Sequence, residues 1–348
     1  MSPGVARKPL RGLKGRPTGY TVLRRGLSSY LLDTTLVTRV IWFGLFAWSA
    51  FGQPHLGKVN ESADACQAAA PANMTCRRVV VNCEGLKPIT AAIRVMEPAR
   101  GVAARGTVLM GSGGNGGGFY ATDPQVQALE QDLAGMGFRV VDRRWMGGWP
   151  TSEGGLRKEA CRYATLVTWV HDTLHKGGKF VVTGNSGGSA EIGYALTSWG
   201  RGDIIDLAIP SSGPPTAHLD YTCVKQASPE WASLCSSIVP KGVMECESGC
   251  VLGPTNGVCL QVSTHPTPEE LLADSVMNPD AVLNYPKTFV HFLFGAHDCG
   301  EPVPAGLTWA TKVTSAKKID FVPKTPHPVM STPEGREAIR KAIDEGTR

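Results

Sequence analysis

The chain has 348 residues, 42% of them apolar and 19% charged, the composition of an ordinary soluble globular protein built as one large domain or one domain with an insertion. Its net charge of +5 is unevenly spread: residues 1–52 carry eight Lys and Arg against the single acid Asp33, a balance of +7 that leaves about −2 for the rest. A body of that charge has no electrostatic footprint for nucleic acid, which excludes that class of partner.

The basic lead runs into Val40 to Gly52, thirteen uncharged residues ending in Ala50 and Gly52. A positive lead, a short apolar run and a small-x-small exit describe a secretory signal peptide, with cleavage expected after Gly52 and an uncleaved N-terminal anchor as the alternative. Thirteen residues are too few to span a bilayer comfortably, so no stable membrane span is expected after cleavage. All ten cysteines lie beyond residue 52 and their number is even, which fits a disulfide framework in an oxidising compartment, extracellular or periplasmic. A zinc set from Cys246, Cys250 and Cys259 lacks both a paired CxxC and an HxxxH partner, so no metal is expected. Asn60 and Asn73 head glycosylation sequons.

Residues 53–78 read as a Cys-containing lead into the strand RRVVVNC. Strands are then expected at ITAAIRVMEP and at GTVLMG, residues 106–111. A helix follows over residues 123–137, with Asp123 as N-cap and Pro124 in its first turn. The strand FRVVDRRW, a helix over residues 153–177 with apolar spacing of three and four, the strand KFVVTG, the helix SAEIGYALTSWG and the strand IIDLAIPSSG complete the first part. Such alternation implies a parallel sheet with helices on both faces. It stops over residues 214–286, a Pro-, Ser-, Gly- and Cys-rich segment read as an insertion over the sheet. Because this insertion holds five cysteines, full pairing needs a bridge that leaves it, with Cys299 or Cys161 as candidate anchors. Alternation resumes with KTFVHFLFG, PAGLTWATKV, KKIDFVP and TPEGREAIRKAI, so residues 79–213 and 287–348 form the core.

Gly184, Asn185, Ser186, Gly187 and Gly188 form G-x-S-x-G between an expected strand and an expected helix, the context of a nucleophile elbow. A serine there occupies a strained turn at a helix N-terminus, where free N–H groups favour developing negative charge, and flanking glycines avoid collision with the neighbouring strand and helix. A hydroxyl becomes nucleophilic only when a base takes its proton and an acid orients the base. Asp298 lies just past the strand TFVHFLFG, and His327 in the loop after IDFV, so the three follow in the order Ser, acid, His at strand ends. The rivals are placed less well: Asp274 lies in the insertion and Asp320 within a strand. His291 reads as a packed core residue, His171 and His175 lie on a helix face, His218 and His265 fall in the insertion, and His297 is a helper of Asp298 or a loop residue. The loop GSGGNGGGFY after the third strand supplies a backbone donor for an oxyanion beside the Gly187 N–H. Gly113 is the first choice for that donor, with Ser112 or Gly114 as alternatives. It lacks the Lys-Ser/Thr ending of a phosphate loop and the spaced glycines of a dinucleotide fold.

Together GNSGG, GAHD, PHP and this glycine loop resemble the α/β-hydrolase family over roughly residues 79–343. The resemblance implies a mostly parallel eight-stranded sheet flanked by helices, with the insertion as a Cys-rich lid or cap. It also implies Ser186 as nucleophile, His327 as general base and then acid, and Asp298 as its orienting partner. The glycine loop departs from the lipase-type HGGG in having no histidine before the glycines. Asp298 beside Cys299 looks like secreted cutinase-type enzymes that pin the acid loop with a disulfide, whereas the large insertion is unlike them. The expected activity is ester hydrolysis through an acyl-enzyme, without a cofactor, on a small molecule or a polymer. The alternatives are a peptidase or amidase on the same fold, or a non-catalytic binding protein. Phe119, Tyr120, Trp145 and Trp149, near the strand ends, are candidate walls of the acyl pocket, or else simple packing.

Overall fold

The computed structural model describes residues 55–62, 73–118, 123–225, 233, 237, 242–244, 259, 267–300 and 302–348. The chain divides into two units, Met1–Phe51 and Gly52–Arg348, and all described residues belong to the second. The expected signal segment, the middle of the insertion, His265, Phe119 and Tyr120 therefore lie outside the described residues.

Nine strands form one sheet: β1 (Lys58–Ser62), β2 (Met74–Asn82), β3 (Ile89–Met96), β4 (Gly106–Gly111), β5 (Phe138–Trp145), β6 (Lys179–Asn185), β7 (Leu207–Ser211), β8 (Phe289–Gly295) and β9 (Lys317–Val322). Their order is β1-β2-β3-β5-β4-β6-β7-β8-β9. The pairs β1/β2, β2/β3 and β3/β5 are antiparallel, and every pair from β5 to β9 is parallel. The helices are α1 (Pro124–Gly135), α2 (Leu156–Glu159), α3 (Cys161–Thr173), α4 (Gly187–Thr197), α5 (Pro268–Ala273), α6 (Pro302–Lys312) and α7 (Pro333–Gly346).

Strand side chains alternate between two cores, as the two-residue repeat requires. Val108, Met110 and Val181 point to the layer containing α1 and α7, and Leu109, Phe180 and Val182 to the layer containing α3, α4 and α6. Covered on both faces, β4 is buried at all six positions, which is why it reads as a continuous apolar run. The Asp123 side chain caps α1 by accepting from Gln125 N at 2.8 Å, as its sequence position requires.

Three expectations need correcting. The sheet has nine strands, not eight: β1 lies in the Cys-containing lead and completes the outer edge of β2. KVNES offers one apolar side chain, Val59, half-buried against the core, so the strand has no apolar pattern and is held mainly by backbone pairing. The long helix expected over residues 153–177 is two, α2 and α3, joined at Ala160. The first begins at Leu156 because the buried Asp274 carboxylate, reaching across from the insertion, accepts from Leu156 N at 2.7 Å and Arg157 N at 2.8 Å. Cys161 is no anchor for the insertion, since it bonds Cys83 and so ties the end of β2 to α3. Cys223 bonds Cys259 within the insertion, and Cys76 and Cys299 are disulfide-bonded as well.

Both ends of the expected insertion are knit into the body. Val276 N donates to Thr216 O, Met277 N to Ala217 O and Val282 N to Thr197 O, while Leu271, Val276 and Tyr285 join the core around α4. Among the described residues no helix is long and apolar enough to cross a membrane.

One buried acid couples the fold to pH. Glu130 of α1 is 1% exposed and faces Asp142 of β5 and Arg94 of β3; burial first, and the Asp142 charge second, push its carboxyl up to about 8, with Arg94 opposing. Between the ordinary value of 4.5 and about 8, the folded chain holds a proton that the unfolded chain has released. Stability therefore falls as pH rises through this window, by at most about 1.4 kcal/mol per pH unit. Glu130→Gln is expected to flatten that slope and to be the more stable form at pH 8, measured by urea melts from pH 5 to 8.5; parallel slopes in the two proteins would contradict it.

Candidate active site

Strand β6 ends in Asn185, and Ser186 follows with φ 53° and ψ −111°, a left-handed backbone rarely adopted by a residue with a side chain. Its N–H donates to Ser211 O at 2.8 Å, and α4 begins at once with Gly187. A Cβ on Gly187 would lie 1.9 Å from Gly114 O, and one on Gly188 2.7 Å from Gly111 O. The turn is therefore pressed backbone to backbone against the loop after β4, and only glycine fits at either place. The register aligns the other strand ends with this point: Gly111 pairs with Gly184, Asn185 with Ser211, Ser211 with Leu293 and Gly295 with Val322.

Asp298 stands in the turn after β8 and His327 in the loop after β9. His327 Nδ1 and Asp298 Oδ2 are 2.9 Å apart. The carboxylate is buried, its residue only 4% exposed, while the ring is about one-third exposed. The two loops hold one another, with Ala296 N donating to Val322 O and His297 N to Thr325 O, both at 2.9 Å. The histidine loop is tied to the elbow as well, since Val329 N donates to the buried Asn185 Oδ1 at 3.1 Å. Among the described residues no hydrogen bond joins the Ser186 hydroxyl to the His327 ring; the Asn185 contact joins the two loops.

The rival residues serve elsewhere. Asp274 caps α2, and Asp320 accepts from His291 Nε2 at 2.9 Å and from Lys318 at 2.8 Å. Burial lowers the His291 imidazole, with the Asp320 contact opposing. His171 and His175 stack on each other, the latter on Thr107 near the start of β4, at the opposite end of the sheet from Ser186. His218 lies 3.3 Å from Asp220. His297 is exposed, and its N–H donates to Thr325 O.

The glycine loop is held by bonds of its own and by backbone donors at the end of β5 and just after it. Ser112 Oγ donates to Gly118 O at 2.7 Å, Gly116 N to Gly113 O at 3.1 Å, Trp145 N to Gly116 O at 2.8 Å and Trp149 N to Asn115 O at 3.0 Å. Gly113 borders the serine: a Cβ built on it would lie 3.4 Å from Ser186 Cβ. Neither the Gly113 nor the Gly187 N–H is used in a turn or loop hydrogen bond among the described residues. Trp145 and Trp149, candidate pocket walls, are 0% and 2% exposed; they pack in the core beneath the loop, Trp145 with its indole N–H on Glu191 Oε1 at 2.6 Å. Among the described residues no group of three His, Cys, Asp or Glu could hold a metal, and Cys259, one of the cysteines weighed as a zinc ligand, is in a disulfide.

No family model matches the sequence, and no curated protein does. Among solved structures, brefeldin A esterase, a bacterial homologue of human hormone-sensitive lipase, is similar with a TM-score of 0.54 at 18% identity, over 82% of this chain and 80% of its own. This chain has the α/β-hydrolase fold. Est1E from Butyrivibrio proteoclasticus (TM-score 0.48, 15% identity, 77% of this chain and 98% of its own) is a further structural neighbour. So is a thermostable carboxyl esterase from Bacillus coagulans (0.48, 14%, 78% and 97%).

Within this hydrolase fold the sequence reading missed Asn185, Arg143 and Glu191. Asn185 is the unspecified position of the motif, and its bond to Val329 spans 144 residues, beyond any local pattern. Arg143 did leave a signal, because a basic residue in a strand covered on both faces requires a buried partner. Asn185→Ala would leave the buried Val329 N–H without this acceptor. It is expected to cost about 1–3 kcal/mol in a urea melt, against no change if the bond is incidental.

Proposed function

We propose that the protein is a secreted serine hydrolase that cleaves a carboxylic ester through an acyl-enzyme. The observation that carries this reading is the 2.9 Å contact of His327 with the buried Asp298, on loops tied to a turn that holds Ser186 at positive φ. The choice of an ester follows brefeldin A esterase, whose fold the chain shares.

On this reading the Asp298 carboxylate accepts from Nδ1–H of His327, which leaves Nε2 unprotonated and able to take a proton. The Ser186 hydroxyl gives that proton to Nε2 as its oxygen attacks the ester carbonyl carbon. The negative charge that collects on the carbonyl oxygen is met by the N–H groups of Gly187 and Gly113, helped by the N-terminus of α4. The imidazolium then protonates the departing alcohol, leaving an acyl group on Ser186. Water enters, loses its proton to His327 and attacks the acyl carbon, and the acid departs as Ser186 recovers its proton. No cofactor takes part in these steps. Export is supported by the basic and apolar N-terminal segment and by the disulfides Cys83–Cys161 and Cys223–Cys259, which belong to oxidising compartments.

Ser186→Ala is expected to bring hydrolysis of p-nitrophenyl acetate and butyrate down to background with an unchanged circular dichroism spectrum. Asp298→Asn, which keeps the shape but not the tautomer control, is expected to lower kcat by about 10⁴-fold. Turnover that survives Ser186→Ala would exclude that serine.

A further inference from the structure

Resting on the serine-hydrolase reading, we propose that Arg143 and Glu191 are positioning residues that together hold the Gly113 N–H at its working distance from Ser186. Arg143 lies in β5 opposite Gly111, at the root of the glycine loop, and Glu191 lies on α4, the helix that starts at the serine turn. Both side chains are wholly buried and form an ion pair between Arg143 Nη2 and Glu191 Oε2. The other carboxylate oxygen of Glu191 accepts from Trp145 Nε1 at 2.6 Å, and the guanidinium lies 5.6 Å from the ring centres of both Trp145 and Tyr163. The loop rests on this guanidinium: Arg143 Nη1 donates to Gly116 O at 3.3 Å, and a Cβ on Gly116 would lie 2.4 Å from the same nitrogen. Gly116 N in turn donates to Gly113 O.

A continuous chain of polar contacts thus runs from the helix behind the nucleophile, through Glu191, Arg143 and Gly116, to the carbonyl of Gly113, the residue whose N–H borders the serine. A loop with glycine at five of the seven positions from 112 to 118 has wide backbone freedom, so the place of its donor must be set from outside. An oxyanion donor works only within about 2.7–3.1 Å of the developing charge, and a misplacement of about 1 Å costs on the order of 10²-fold in rate. A buried ion pair contributes little net stability compared with apolar residues of similar volume. A role in placement, which the contact with Gly116 provides, is thereby separable from a role in holding the fold.

The test is the double variant Arg143→Met with Glu191→Leu, which leaves no unpaired buried charge, with Glu191→Gln measured beside it. The wild-type enzyme and both variants are assayed on p-nitrophenyl acetate, with trifluoroacetophenone, which forms a tetrahedral adduct on a reactive serine, as the inhibitor. For the double variant the expected result is a thermal midpoint at or above wild type, with kcat lower by about 10- to 100-fold and KM within about twofold. The inhibition constant should rise by the same factor as kcat falls. Glu191→Gln is expected to show the same split with a kcat loss of about five- to tenfold. Unchanged kcat in whichever variant folds would overturn the proposal, as would a loss confined to KM or to stability. Absence of wild-type turnover would overturn the enzyme reading and this proposal with it, whereas wild-type turnover with unaltered variants overturns this proposal alone.

Discussion

The close approach of two stretches of backbone, Gly111–Gly114 and Gly187–Gly188, decides most of what surrounds it. It forces β6 to turn into α4 within one residue, which places Ser186 in the left-handed region. A residue held there costs on the order of 1–3 kcal/mol and persists only when its surroundings over-determine it. Here they do, through the Ser186 to Ser211 backbone bond on one side and the glycine contact on the other. The same contact sets the start of a helix, with its unused N–H groups, beside the loop that carries Gly113. The positive φ of Ser186, the start of α4 and the place of the glycine loop are therefore linked in one packing arrangement.

Several charged groups are buried around this contact. Asp298 meets the ring of His327, Arg143 and Glu191 link the glycine loop to α4, and Asp274, at the end of α5, caps α2. Just beyond the loop, Glu159 accepts from Thr151 N and Glu153 N, while Arg162 donates to Trp149 O, so the segment after β5 is held from α2 and α3. In each case a charged group satisfies backbone or side-chain donors and acceptors that the strand ends leave exposed to the interior. Such networks specify one arrangement even where apolar residues would be as stable.

The central sheet was legible because strands alternate with helices along the chain, and the apolar run GTVLMG and the segment FRVVDRRW match β4 and β5 residue for residue. The meeting of Asp298 with His327, and the place of Ser186 at the end of β6, were legible for a related reason. A parallel sheet delivers the loops after its strands to one edge, so chain order alone predicts which side chains share that edge, and Asp298 and His327 do meet there. What escaped depends on partners distant in sequence. The edge strand β1 has no apolar pattern and is stabilised by pairing with β2. The start of α2 is set by Asp274, more than a hundred residues away, and the partner of Cys161 is Cys83 rather than a cysteine of the insertion. Trp145 and Trp149 stood at strand ends where side chains can face either a cleft or the core, and the buried charge of Glu191 gave Trp145 a reason to turn inward.

The proposed chemistry rests on the activation of one hydroxyl by His327. Treatment with a fluorophosphonate followed by intact-mass analysis and peptide mapping tests it most directly. The expected result is a single adduct, confined to the peptide containing Ser186 and reduced to trace levels in His327→Ala. Modification of a different serine, or labelling of Ser186 that proceeds as fast without the imidazole, would contradict it.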